Sequence, residues 1–499
     1  MDNKNRLLIL GSLLTVCSPA FASNGQESKP NIIFILVDDL GKEWIQQYGA
    51  ENINLTHLQE LADKSVIFNR AYSMPQSTPS RLALLTGQFP YNNGWVNHFD
   101  VPRWANGAHF DTQQNPSYAI HLQNNGYKTC AAGKWQINDF RLQPDAMNLA
   151  GFDEYCMWTG TEVGNVELSD SRYWDPYIHT KEGSKVYKGQ FGPDIYSDFI
   201  TDFIADNKDN PFFVYYAMTL THTPFVHTPL DMDAETDYEK HKAMVEYTDF
   251  IIGKLMDCLE KNGVADDTYI MFTTDNGTGS RVVGMRNGHY IRGGKTLLSE
   301  NGINCPFIVH VPGQTKQRTS EALIDFTDMY PTFLDLTNST DNGKYKIDGR
   351  SFAGVLKGKD KNTDKGYALS MGCHAAYIGD DGFVKNMYPF KDRAIMGDKY
   401  KVYITIDRVI DRVYDIPNDP YEKNNLVEDA KVMKKVEKEF GKLISELPAN
   451  DSNPKYNRLE NDPTWDVALK NSAHVKRTNY RPEATEEDYN NFVNPPAKK

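Results

Sequence analysis

The chain has 499 residues, with 54 basic against 67 acidic side chains and a formal charge of −13. Its 40% hydrophobic, 12% aromatic and 24% charged residues can bury a large core and exclude disorder, collagen and coiled coil as the main architecture. Net negative charge without a long Lys/Arg cluster argues against nucleic-acid binding, which needs concentrated basic surface, but not against a local cationic pocket.

In chain order, Lys4 and Arg6 precede an apolar run over 7–16, and Ala20, Phe21 and Ala22 form an A-x-A cleavage site. Residues 1–22 are therefore predicted to be a signal peptide, and the protein to be periplasmic or secreted. The run falls short of the roughly 20 residues that span a bilayer, so no membrane span is expected. Val16 before Cys17 is bulkier than the small residue a lipobox carries, which speaks against lipid anchoring. The other cysteines, Cys130, Cys156, Cys258, Cys305 and Cys373, are odd in number and scattered, and read as buried thiols rather than a disulfide framework.

Over 23–340, short apolar runs alternate with helical patterns, which predicts an α/β catalytic domain with a mainly parallel sheet flanked by helices. The best strands are 31–37, 212–217, 268–272 and 307–311, each continuously apolar as expected for strands covered on both faces. Thr236 and Glu239 fit a capping box that starts a helix carrying Met244, Tyr247, Ile251, Leu255 and Leu259, stopped by Asn262 and Gly263. Residues 341–499 read as a smaller C-terminal α+β subdomain, a short antiparallel sheet plus a helix with Val432, Val436, Phe440, Leu443 and Leu447 on one face. The tail after Pro448 is expected to wrap the surface or fray.

Two acidic sites follow buried strands. Asp38 and Asp39 come directly after 31–37, and Asp275 and Asn276 after the strand at Thr268. A turn after a strand often carries Asp for capping alone. Adjacent acids repel unless something positive binds them, and ligands gather at strand carboxyl ends. Three carboxylates and an amide oxygen are hard donors, suited to Ca²⁺, less so to Mg²⁺, and poorly to zinc.

The segment Ser77, Thr78, Pro79, Ser80, Arg81, continuing to Thr86 and Gly87, resembles the signature of the type I sulfatases of the alkaline phosphatase superfamily. Meeting its six constraints by chance in such a chain has a probability on the order of a few in 10⁵. The resemblance implies an alkaline-phosphatase-like fold and oxidation of Ser77 to Cα-formylglycine (3-oxoalanine), whose hydrate attacks sulfur, with the Ser77 oxygen also on the metal side. A serine implies a radical-type sulfatase-maturating enzyme as partner. Arg81 matches the motif arginine that orients the hydrate. Gly133, Lys134 and Trp135 resemble a Gly-Lys-Trp-His segment, which makes Lys134 a sulfate-binding cation. The usual His is here Gln136, which cannot take a proton at neutral pH. Either Gln136 only orients the formylglycine while a carboxylate, a metal-bound water or another His, such as His98 or His289, moves the proton, or turnover is slow.

His222, in a stretch resembling Pro-His-x-Pro, takes the role of general acid on the leaving oxygen. Lys295, with Ser299, Glu300, Asn301, Gly302 and Pro306, resembles a segment that supplies a second sulfate clamp, although Asn301 and Asn304 replace a Gly and an Arg. Tyr414, Asp415, Asp419, Pro420, Glu422, Asn425 and Leu426 resemble the family's C-terminal pattern. Trp158 and His374 are read as exposed side chains for sugar contact. The implied activity is sulfate removal from a sulfated saccharide. The alternatives are a formylglycine-dependent phosphonate or phosphodiester hydrolase and a non-catalytic sulfated-glycan binder.

Overall fold

The computed structural model describes residues 29–96, 108–160, 169–373, 376–459 and 483–496. Residues 1–22 lie outside these. The eight strands β1 (Asn31–Val37), β2 (Ser65–Tyr72), β3 (Lys128–Lys134), β4 (Glu154–Trp158), β5 (Tyr177–Thr180), β6 (Gly183–Val186), β7 (Phe212–Ala217) and β8 (Thr268–Thr274) belong to one sheet. β11 (Asn304–His310), β12 (Arg318–Ser320) and β13 (Ile324–Asp325) complete it, after a separate hairpin of β9 (Val283–Arg286) and β10 (His289–Arg292). Its order is β12-β2-β11-β8-β1-β7-β3-β4-β5-β6, with β13 also on β2.

The centre, β8-β1-β7-β3-β4, is parallel throughout. β1 shows why these residues form it: all seven are buried, and alternate side chains enter different cores. Ile32, Phe34 and Leu36 join one apolar cluster with Phe333 of the helix Met329–Thr337, while Ile33, Ile35 and Val37 join another. The one polar residue, Asn31 at the strand's start, accepts from Phe212 N at 3.0 Å, and each large apolar side chain contributes about 1.5–3 kcal/mol by leaving water. The second face is covered by the helices Gly192–Asn207 and Asp237–Asn262, through Ile200, Phe203, Met244, Ile251 and Leu255. Thr236 and Glu239 form the expected capping box, and Gly263 in a left-handed conformation ends the helix.

Two strands differ from their sequence expectation. The strand at Thr268 runs on to Thr274, because Thr273 and Thr274 stay in the ladder opposite Leu36 and Val37. The run expected at 307–311 occupies 304–310 and is antiparallel to both β2 and β8, since an apolar run reads the same in either direction. A smaller four-stranded antiparallel sheet contains β14 (Ala368–Met371), then, after the short hairpin β15 (Ala376–Ile378) and β16 (Val384–Asn386), β17 (Arg393–Met396), β18 (Tyr400–Ile404) and β19 (Ile410–Asp415). The helix Ala430–Glu446 follows, burying Val436 and Phe440. The tail is tied down where described: Asp451 accepts two bonds from Arg393 Nη2, and Asp488 pairs with Arg292 at 2.6 Å. The five expected thiols are all buried, and no described helix is long and apolar enough to cross a membrane.

Gly133 sits at φ 96°, where a Cβ would lie 1.9 Å from the Ala217 carbonyl oxygen, so β3 and β7 approach this closely only without a side chain. Gly133→Ala is expected to cost on the order of 3 kcal/mol, read as a lowered thermal midpoint. Gly126→Ala, at φ 84° but with nothing within 4 Å of its Cβ, should cost about 1 kcal/mol.

Candidate active site

The sheet register gathers residues far apart in sequence. Val37 lies opposite Thr274, Leu36 opposite Ala217, Gly133 opposite Ala217 and Lys134 opposite Trp158. Everything that follows these positions therefore emerges along one edge. Beyond the ladder the chains stay zipped: Asp38 N donates to Leu220 O at 2.7 Å, Thr221 N to Asp38 O at 2.8 Å and Asp275 N to Val37 O at 3.0 Å. Asp39 then turns at φ 63°, and its N–H donates to Asp275 Oδ1 at 3.1 Å.

β2 delivers the helix α1 (Ser77–Thr86) to the same edge, with Ser77 at its first position and Gly87 ending it at φ 65°. Pro79 is tolerated there because the first helical N–H groups have no intrahelical acceptor. Ser80 Oγ donates to Met74 O at 3.0 Å, which fixes the entry turn. All ten residues of α1 are buried, so it is a core element with its positive dipole end at the site.

The side chains converge tightly. Ser77 Oγ lies 3.1 Å from Asp38 Oδ1, 3.5 Å from Asn276 Oδ1 and 3.2 Å from Lys134 Nζ. Lys134 Nζ also reaches both Asp38 oxygens at 3.0 and 2.8 Å. Arg81 donates from Nη2 to Asp275 Oδ2 at 2.8 Å and from Nη1 to Lys134 O at 3.3 Å. Lys295 Nζ holds Asp39 Oδ2 at 2.6 Å, and Asn276 Nδ2 donates to Asp39 Oδ1 at 2.8 Å. His222 Nε2 is 3.6 Å from Asp39 Oδ2, while Nδ1 meets Thr223 O at 2.6 Å.

These acids are buried, so their charge is set by neighbours rather than water. Burial would raise Asp38 and Asp39, but Lys134 beside the first and Lys295 beside the second hold both below the usual carboxylate range. Burial and then Asp38 push Asp275 up to about 6 against the pull of Arg81. Burial lowers Lys134 to about 8 despite Asp38, and burial followed by Lys295 lowers His222 to about 3. Asp38, Asp39 and His222 each offer a ligand atom within 4.8 Å of the others. The oxygen donors among them, Asp38 and Asp39 with Asp275 and Asn276 beside them and no thiolate, fit a hard divalent cation, whose charge would also relieve the raised Asp275.

The family model described as Sulfatase matches residues 30–339, which hold every residue of this cluster. The chain belongs to the sulfatase family. It is a type I sulfatase of the alkaline phosphatase superfamily. A second model, N-sulphoglucosamine sulphohydrolase, C-terminal, matches residues 288–450 of this sulfatase. It is 28% identical to N-acetylgalactosamine-6-O-sulfatase of Bacteroides thetaiotaomicron, over 90% of this chain and 99% of that one. It is also 28% identical to human N-acetylgalactosamine-6-sulfatase, over 67% of each. Among solved structures, Ps i-CgsB superposes with a TM-score of 0.71 at 23% identity, covering 90% of this chain and 98% of that one. Phosphonate monoester hydrolase of Agrobacterium radiobacter shares the fold at a TM-score of 0.58 and 17% identity, covering 83% and 95%.

Not every expected residue lies in the cluster. Trp158, read as exposed, is 1% exposed: as the last residue of β4 it donates from Nε1 to Ser169 O, and the Arg172 guanidinium covers its ring at 4.0 Å, leaving that face closed to a sugar. Gln136 is buried at φ 65° with its Oε1 unpartnered among the described residues. His289 is exposed on β10 against Tyr421. His98 and His374 lie outside the described residues.

Sequence reasoning missed Arg172, Tyr173 and Lys401. Tyr173 OH, with one proton to share, lies 2.7 Å from Thr219 O and 2.5 Å from His222 O, bracing the loop that carries His222. Lys401 of β18, fully buried, pairs with Glu300 at 2.9 Å and Glu422 at 3.0 Å. Glu300 N donates to Glu422 Oε2 at 2.9 Å, so the small sheet grips the turn that carries Lys295. The two departures from the family pattern also have partners here. Asn301 donates to Arg292 O, and Asn304 bridges Glu300 and Lys42. Lys401→Met is expected to cost about 3–5 kcal/mol in denaturant unfolding, because two buried carboxylates lose their cation. Adding Glu300→Gln and Glu422→Gln should recover part of that loss.

Proposed function

We propose that this sulfatase hydrolyses a sulfate monoester of a saccharide, with residue 77 as nucleophile after conversion of Ser77 to Cα-formylglycine. The supporting observation is the position of Ser77 Oγ, within 3.5 Å of Asp38, Asn276 and Lys134 at a helix N-terminus. Formylglycine supplies, as its hydrate, one oxygen to attack sulfur and a second whose proton loss lets sulfate go. Asp38, Asp39, Asp275, Asn276 and the residue 77 oxygen would hold a Ca²⁺ ion, which supplies positive charge to the sulfuryl oxygens.

The remaining chemistry belongs to side chains. Lys134 and Lys295 bind the sulfuryl oxygens from two sides and stabilise the charge that grows on them as the S–O bond breaks. Arg81 holds Asp275 and the carbonyl of Lys134, which fixes the geometry around residue 77. With Nδ1 on the Thr223 carbonyl, His222 presents Nε2 to the site, the atom that gives its proton to the leaving sugar oxygen. Burial and Lys295 keep this histidine neutral in the free site. Gln136 orients rather than moves a proton. A serine at position 77 requires a radical-type sulfatase-maturating enzyme, and the predicted signal peptide places the enzyme in the periplasm or outside the cell.

The direct test is sulfate release from sulfated mono- and disaccharides, including 6-sulfated N-acetylgalactosamine, by a Ser77→Cys form matured in an aerobic host. Release from one sugar at one position is expected, with Ser77→Ala silent yet folded to the same thermal midpoint. Silence across the panel with formylglycine verified by mass sinks action on short saccharides and leaves longer sulfated glycans or phosphate esters, and faster cleavage of the matching phosphate esters favours the phosphonate or phosphodiester alternative. Lys295→Ala should lose on the order of 10²-fold or more in kcat/KM, and unchanged kinetics refute its clamp role.

A further inference from the structure

We infer that Arg172 is a further substrate-binding residue of this site, donating to the sulfate group that Lys134 and Lys295 also hold. The inference rests on the sulfatase reading above. Arg172 is 6% exposed, and its guanidinium carbon lies 4.0 Å from the centroid of the Trp158 ring. Trp158 is a rigid platform: it sits in β4 directly opposite Lys134, and its indole N–H is held by Ser169 O at 3.0 Å. Stacking on it fixes the plane of the guanidinium and leaves the donor edge to point elsewhere.

That edge lies at the cluster. Nη1 is 3.9 Å from Asp38 Oδ2, the same oxygen that Lys134 holds at 2.8 Å. A separation of 3.9 Å is an ion pair without a hydrogen bond. Arg172 Nε and Nη1 are both buried and have no hydrogen-bond partner among the described residues. A planar fork of N–H donors matches the oxygens of a sulfate group, and the three donors on Nε and Nη1, buried without a protein acceptor among the described residues, favour a ligand that brings one.

The charge count points the same way. Asp38, Asp39 and Asp275 are matched by Arg81, Lys134 and Lys295, three against three. Arg172 is a fourth cation against those three carboxylates, an excess that suits an incoming anion. The next residue, Tyr173, holds the backbone of His222. One short segment thus sets both the extra cation and the acid.

The test separates binding from packing. Arg172→Met keeps an apolar stem over Trp158 and removes the charge. In the full-length Ser77→Ala protein, titrated with inorganic sulfate, Arg172→Met should weaken sulfate binding about tenfold or more, with an unchanged or raised thermal midpoint in the absence of sulfate. In the matured enzyme its kcat/KM on the sulfated sugar should fall on the order of 10²-fold. Arg172→Lys keeps charge without the fork and should lose less on both readouts; it carries the test alone if Arg172→Met does not fold. Sulfate affinity and kcat/KM within about twofold of the parent, with a lowered midpoint, would make Arg172 a packing residue and overturn the inference. If the parent releases no sulfate from any sugar, the proposed function fails, while the inorganic sulfate titration still decides Arg172.

Discussion

Three carboxylates shut away from water at the ends of two neighbouring strands impose the constraint to which the rest of this molecule answers. An isolated buried carboxylate is too costly to keep ionised, so compensation must come from inside the protein. Each cation comes from a different segment: Arg81 from a buried helix, Lys134 from the end of β3, Lys295 from a turn reached after β8. They can meet only if β8, β1, β7 and β3 lie side by side with their carboxyl ends level, as the parallel register makes them. The compensation is uneven. Asp38 is held down by its cations while Asp275 is left raised to about 6 by burial and Asp38, which marks where more positive charge would be absorbed.

Much of this could be read from the chain because burial writes itself into composition. β1 and β7 occupy the bounds their continuous apolar runs announce, and the helix at Asp237 starts and stops on its capping box and its glycine. The acids were legible because they directly follow such runs, and Ser77 with Arg81 because their spacing is a signature. What escaped has no local pattern. Arg172 lies in an irregular stretch between β4 and β5, where a lone arginine reads as solvated surface. Trp158 carries no sign of which neighbour covers it, and the cover proves to be that arginine. Lys401 in the strand Tyr400–Ile404 looks like a solvent-facing position until Glu300 and Glu422 arrive from other elements.

The small sheet is therefore part of the site's support although none of its residues was found in the cluster. Tyr403 OH reaches Leu298 O at 3.0 Å, and Lys401 locks Glu300 to Glu422. The turn they grip is also pinned from the catalytic side, where Thr296 N donates to Pro75 O at 2.7 Å and Lys295 N to Thr278 O at 3.0 Å. A lysine that must hold Asp39 within hydrogen-bond range has its backbone anchored on both flanks, which limits the entropy lost when the side chain meets a ligand.

The complete burial of the helix Ser77–Thr86 has a consequence in time. Once the chain has closed over it, its first residue lies 4% exposed beneath side chains contributed by positions up to 199 residues further along the chain. No macromolecule can grip that segment in the finished protein. If Ser77 is converted as proposed, the conversion would have to precede the closing of this site, so the rate of folding would set a deadline for it.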